Sequence, residues 1–263
     1  RNLVCSGAEP AAVTDCLNFG NPEKPDRYWQ FKNCLEGIVD ACNFFHLPVI
    51  SGNVSFYNEN PRGAIYPTPA IGMVGIVDDA ARVCTQNFKK AGDCVVLLGQ
   101  CKEELGGSEY LKELHGQVRG EPPALDLALE QAVQQVALEA IRTGLVSSAH
   151  DCSEGGLASA LAECCISDGE HLMGAVVDGL DGGIRTDSLF FGESQSRIIL
   201  SCPEASLDKI KQIAGRFSAP FKVIGKTGGR DLKISHKGRL LVNLSCERMH
   251  EQWANSLSSL ITA

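Results

Sequence analysis

Short apolar runs of strand length alternate along this chain with helix-length apolar stripes, and that alternation limits the fold more than any other feature. Cys94–Leu98 is apolar without a break, the pattern of a strand buried on both faces. From about Leu125 to Thr143, apolar residues at 129, 133, 136, 140 and 141 share one side of a helix that stops at Gly144. Another stripe, at 31, 34, 35, 38, 41, 42 and 45, predicts a helix from Asp26 to Leu47, closed by Pro48. Strands are expected at Pro48–Phe56, bent at Ser51-Gly52-Asn53, and at Pro67–Val77, Arg197–Cys202 and Phe221–Gly225. A hairpin turns at Lys237-Gly238 between Lys233–Ser235 and Arg239–Leu244. Further helices are expected over Glu204–Phe217 and from Gly156 to about Ile166, the latter with Ser153 as its N-cap. Arg1–Pro10 reads as the tail of a helix and a turn at Gly7, and Gly106–Glu109 as a turn. Strands and helices alternate without a strict βαβ repeat, which predicts an α+β (mixed α/β) fold. The polar stretch Asp78–Asp93, ending Ala91-Gly92-Asp93, reads as a joint between domains at 1–90 and 91–263.

Composition narrows the function classes. Of the 263 residues 44% are apolar and 21% charged, enough apolar side chains to build a core and to exclude a disordered chain. No apolar run approaches the roughly 20 residues of a membrane-spanning helix. The net charge is −8 with no Lys/Arg cluster, so neither a membrane nor a nucleic-acid partner is expected. A small anion would have to be held by backbone amides or through a metal ion. The twelve cysteines form no Cys-x-x-Cys pair, and His150 and Cys152 have no partner pair at zinc-site spacing. In a chain of this length they read as reduced, mostly buried small apolar residues, which points to the cytoplasm. The chain opens on Arg1 in mid-element with no targeting segment, the expectation for a piece of a longer protein.

Three glycine-rich segments could carry chemistry: Thr14–Pro22, Ser51–Ser55 and His150–Leu157. Glycine beside polar side chains lets backbone N–H groups approach a phosphate, and Asn and Asp oxygens suit Mg²⁺. Each has a plainer reading. Asp15 and Asn21 could close Asx-turns, Asn53 could occupy a left-handed turn position, and Ser55 could be an ordinary strand serine. Gly155-Gly156 could form an anion site at a helix start or a tight packing contact. No Walker loop, Gly-x-Gly-x-x-Gly or Gly-x-Ser-x-Gly is present. His46, His115, His171, His236 and His250 are scattered.

The wording of the segments goes further. AVTDCLNFGNPEKP at 12–25, PVISGNVSFYNE at 48–59, IYPTPAIGMVGIVDD at 65–79, ELGGSEYL at 104–111, SAHDCSEGGLASALAE at 148–163 and FGESQSR at 191–197 occur in that order. They resemble the second half of phosphoribosylformylglycinamidine synthase, with a looser likeness on to the C-terminus. Trp253 and the short tail after it look like the small form of that enzyme (synthetase subunit II) rather than the large fused form. The resemblance implies the second copy of an aminoimidazole ribonucleotide synthetase-like module, its N-terminal part truncated, followed by its C-terminal α/β domain. The implied reaction is ATP-dependent conversion of formylglycinamide ribonucleotide and glutamine-derived ammonia to the amidine, through an iminophosphate. It implies ATP and Mg²⁺ as cofactors, and a glutaminase subunit and a small accessory subunit as partners.

Carried over by position, the resemblance implies that Asp15 and Gly52 contact ATP, Asn53 ligates magnesium and Ser55 contacts substrate. Asp15 and Asn53 would then face one cleft holding the magnesium-bound triphosphate. The family's catalytic histidines belong to the first copy, so no catalytic residue is expected in this chain and the fragment alone should be inactive. His150-Asp151 and Glu193-Ser194-Gln195 match first-copy positions and receive no role here. An alternative treats the chain as a nucleotide-binding or scaffolding half-module. Selenophosphate synthetase and thiamine-phosphate kinase share the wider superfamily, but AVTDCLNFGNP and FGESQSR are wording of the amidine synthase.

Overall fold

The computed structural model describes residues 1–180 and 183–262. It contains two compact units, residues 8–78 and residues 1–7 with 79–263. The fold class is mixed α/β, as expected.

The unit of residues 8–78 is built on β1 (Glu9–Asn18), α2 (Pro25–Phe44) and β2 (Val49–Ser55); α1 (Asn2–Cys5) precedes it in the chain and packs in the other unit. Pro25 opens α2, where its missing N–H costs nothing. The helix crosses from β1 to β2, which therefore pair in parallel. The small hairpin β3 (Glu59–Asn60) and β4 (Gly63–Ala64) follows, then β5 (Thr68–Ile76), antiparallel to β1. The sheet order is β2-β1-β5. Phe31 of α2 meets Phe19 and Phe56 edge-on at centroid distances of 5.3 and 5.0 Å. Val13, Leu17 and Phe19 are buried, whereas Ile50, Val74 and Ile76 are more than half exposed.

The other unit centres on a sheet whose first strand is β6 (Cys94–Leu98), buried at all five positions. Then come α3 (Glu109–His115), α4 (Leu127–Arg142), β7 (Ser148–Asp151), α5 (Gly156–Ile166), β8 (Ala175–Val177), α6 (Thr186–Phe191) and β9 (Ile198–Cys202). The chain continues through α7 (Leu207–Phe217), β10 (Phe221–Thr227), β11 (Asp231–His236), β12 (Arg239–Ser245), α8 (Cys246–Ala254) and α9 (Ser256–Thr262). The seven strands lie in the order β12-β11-β8-β10-β6-β9-β7.

Alternation along β6 feeds two cores. Cys94, Val96 and Leu98 point to one face, packed with Val133, Val136 and Ile141 of α4 and Ile210 of α7. Val95 and Leu97 point to the other, packed with Leu157 and Leu161 of α5, Phe190 of α6 and Cys246 of α8. This double coverage explains why the run reads as apolar throughout rather than alternating.

The compact units do not divide at 90/91. Phe88 is fully buried in the second core, and the Cys84 N–H donates to the Ser6 carbonyl at 3.1 Å. The polar stretch 79–90 is thereby tied into the later unit together with residues 1–7. Two local expectations also change. Ser108 caps α3, where a turn was expected, accepting from the Leu111 N–H at 3.4 Å. Ser153 is not the cap of α5, since that position belongs to Gly155 in a left-handed conformation and the Ser153 hydroxyl donates to Asp151.

Candidate functional site

Asp15 sits in the middle of β1, in register with Gly52 on β2 and Ile71 on β5. A Cβ on residue 52 would run into the Asp15 carboxylate, so glycine there supplies space rather than a turn. The structure thus brings Asp15 and Gly52 together. Asp15 is a strand residue and not an Asx-turn, while Asn21 does form one, accepting from the Glu23 N–H at 2.8 Å.

Asn53 and Ser55 register with Cys16 and Asn18. Side chains alternate across a strand, so these two lie on the sheet face opposite Asp15 and Gly52. Thr14 and Ser51 mark the Asn53 face, their hydroxyls 2.6 Å apart. The single cleft expected between Asp15 and Asn53 is therefore not what β1 and β2 form. Nor is β2 bent at Ser51-Gly52-Asn53. Val13 partners Val49 and Thr14 partners Ser51, so the irregularity falls at Ile50.

Asn53 stands exposed, and its described strand neighbours on that face are hydroxyls, a thiol and the Asn18 amide, with no carboxylate. Mg²⁺ is ordinarily held by one or two carboxylates together with phosphate oxygens. These donors do not make a magnesium site by themselves, and no group of three or more His, Cys, Asp or Glu side chains placed to hold a metal ion occurs among the described residues. Ser55 is engaged by Asn58, whose amide nitrogen lies 2.9 Å from the Ser55 carbonyl and 3.0 Å from the Phe19 carbonyl. Asn58 lies in the quoted SFYNE wording, but its clamp on Phe19 depends on two strands meeting.

A second polar constellation lies in the other unit. Arg1 donates to Glu130 at 2.9 Å and to Gln195 at 3.3 Å, and its Nε is 3.8 Å from Asp151. Asp151 also accepts from Asn2 at 3.0 Å and from Ser153 at 2.6 Å. Burial raises its carboxyl pKa, but the Ser153 and Asn2 hydrogen bonds and the Arg1 and His150 charges outweigh burial and hold it below the usual range. His150 lies on β7 beside it with Nε2 2.7 Å from Glu163. Burial pushes the adjoining Cys152 thiol up to about 12, so it is not a nucleophile at neutral pH.

Glu193 joins three of the motifs. One carboxylate oxygen accepts from the Glu109 N–H at 2.8 Å and from the Gly155 N–H at 2.9 Å. The start of α5 is thus occupied by an anion of the chain itself. A Cβ on Gly156 would lie 2.6 Å from the Gly192 carbonyl, so the Gly155-Gly156 pair is a tight packing contact. Arg197, fully buried, bonds the Ser194 carbonyl at 2.8 Å and the Gly192 carbonyl at 2.7 Å, fixing the loop that carries Glu193 and Gln195. The roles of Arg1 and Glu130 were not legible, because 129 positions separate them.

Two domains of this architecture, one with an open three-stranded sheet and one with a helix-covered seven-stranded sheet, define a family. Residues 1–77 match the AIR synthase related protein N-terminal domain and residues 90–237 its C-terminal domain, and the chain belongs to this family. Within it, the chain is 49% identical over 99% of its length to the phosphoribosylformylglycinamidine synthase subunit PurL of Moorella thermoacetica. It is 46% identical over 96% of its length to that of Caldanaerobacter subterraneus subsp. tengcongensis. The chain spans about a third of the length of these relatives (35% and 34%). Among solved structures it resembles the PurL of Thermotoga maritima complexed with FGAR (TM-score 0.77, 19% identity, 95% of this chain and 41% of that one). The same protein complexed with ATP gives a TM-score of 0.71 at 20% identity, covering 95% and 39%. These structural likenesses bear on the fold.

Proposed function

We propose that this chain is part of a phosphoribosylformylglycinamidine synthase of purine biosynthesis. It would contribute to ATP-dependent conversion of formylglycinamide ribonucleotide and glutamine-derived ammonia to the amidine, ADP and phosphate. The observation that carries this reading is identity of 49% and 46%, over 99% and 96% of the chain, to relatives bearing that name. The placement of Asp15 directly against Gly52 on adjacent strands supports it. In this reading Asp15 and the open backbone at Gly52 meet ATP on one sheet face. Asn53 and Ser55 serve the other face, Ser55 toward substrate. Because β2 is an edge strand, a ligand lying along it reaches both faces.

Asn53 would add one neutral oxygen to a magnesium ion whose remaining ligands come from phosphates and from groups outside this chain. The catalytic groups likewise lie elsewhere in the longer enzyme, so the chain alone is not expected to turn over. A glutaminase subunit and a small accessory subunit are the expected partners, in the cytoplasm. Among the described residues no helix is long and apolar enough to cross a membrane.

The test uses the full-length enzyme. Asp15→Asn is expected to lower kcat/KM for ATP by about 10- to 100-fold, the loss of one charge-assisted contact. Asn53→Ala is expected to raise the magnesium concentration needed for half-maximal rate. Unchanged ATP kinetics in Asp15→Asn would remove Asp15 from the nucleotide site.

A further inference from the structure

A cavity of about 800 Å³ opens within the unit of residues 1–7 and 79–263, lined from α1, the stretch 84–89, β7 and the loop that follows α5. Buried Cys5, Cys84 and Ala149 give it an apolar floor. Gln86, Lys89, Ser167 and His171 line it with polar groups. That volume suits a small organic molecule.

Lys89 brings the charge. Its Nζ donates to the Ser147 carbonyl at 2.6 Å and to the Thr85 carbonyl at 3.3 Å. An ammonium carries three N–H groups, so one is left over. The residue as a whole is exposed, so a ligand can reach it, yet burial of the amine pushes its pKa below the usual range. Among the described residues, no carboxylate is one of the charges acting on it. A cation partly withdrawn from water without a counter-ion gains when an anion arrives.

The neighbours set what kind of anion. The Ser167 hydroxyl is buried and lacks a hydrogen-bond partner, which a ligand oxygen can supply. Asp168 shares the wall, and its carboxylate is already engaged by the Glu170 N–H at 3.1 Å and by His171 Nδ1 at 3.4 Å. One spare cation beside one fixed carboxylate matches a single negative charge better than the two of a phosphate monoester. The cavity is separate from the constellation around Asp151. His150 lines it, but its Nε2 is taken by Glu163, and the Asn2 amide is taken by Asp151.

We propose that this cavity binds a small organic acid through one carboxylate, which takes the spare Lys89 N–H and the Ser167 hydroxyl, while Gln86 and the His171 ring meet polar groups on the remainder. Binding makes and breaks no covalent bond. The proposal is independent of the ligase reading.

The experiment isotopically labels the lysine side chains of the chain and follows each by NMR as the pH is raised, with glycolate and inorganic phosphate as probes. Glycolate is expected to bind saturably and to move the Lys89 titration to higher pH, because a bound anion favours the ammonium. Lys89→Met should weaken glycolate by about tenfold or more, the loss of one charge-assisted contact. Ser167→Ala should weaken it by a smaller factor, and a change at the exposed Lys32 of α2, Lys32→Met, should leave it unaltered. A Lys89 titration indifferent to glycolate overturns the proposal, and so does phosphate that binds this cavity more tightly than glycolate. The wild-type titrations decide both, even if Lys89→Met does not fold.

Discussion

Asp151 keeps a charge in a place that burial alone would neutralise, because Ser153, Asn2, Arg1 and His150 all favour its ionised form. Its folded-state value lies below the unfolded value of about 4. The associated stability is therefore fully present above about pH 4 and is lost as pH falls through the lowered folded value. Asp151→Asn should cost about 2 kcal/mol at pH 7, and the gap to wild type should narrow below pH 4 as the wild-type carboxyl takes up its proton. Urea unfolding of both proteins at pH 7 and pH 3 measures this, and a gap that does not change with pH would show that the charge contributes nothing. Asp15 presents a different case. Its type and wording could be read from the chain, but which side chains share its face could not, because a one-residue offset in register moves a neighbour to the other side of the sheet.

Elements were legible where one periodicity ruled. β6 announced itself because both of its faces are covered, and α4 because its apolar stripe ends at Gly144, which has φ +69°; its N-cap Asp126, whose side chain accepts from the Leu129 N–H at 3.0 Å, came only with the structure. β1 stayed hidden: Pro10, two alanines and Asp15 interrupt its alternation, so Thr14–Pro22 reads as a polar loop. The helix α3 was masked by the glycines before it, and α8 and α9 by weak apolar content. Glycine positions show the same dependence on context. Gly156 has φ +71°, and a Cβ there would also come within 2.9 Å of the Phe190 carbonyl. Gly156→Ala should cost about 2–5 kcal/mol, from strain and overpacking together. Gly215, inside α7, has open space around it, and Gly215→Ala should be neutral or add up to about 1 kcal/mol. Thermal or urea denaturation of the pair separates them.

Across the molecule, apolar burial is uneven. In residues 8–78 the strands β2 and β5 leave Ile50, Val74 and Ile76 at 65%, 57% and 62% exposure. Val74→Thr should accordingly change the stability of this chain by less than about 0.5 kcal/mol in urea unfolding, whereas Leu98→Ala, at a fully buried site, should cost about 2–5 kcal/mol. A comparable loss in Val74→Thr would mean that β5 is covered in solution. The other unit is held by links of great sequence span, and Glu193 is the most economical of them. One of its carboxylate oxygens occupies the Glu109 N–H at the start of α3 and the Gly155 N–H at the start of α5. A visiting anion that sought either of those amides would have to displace a carboxylate that the chain already keeps there.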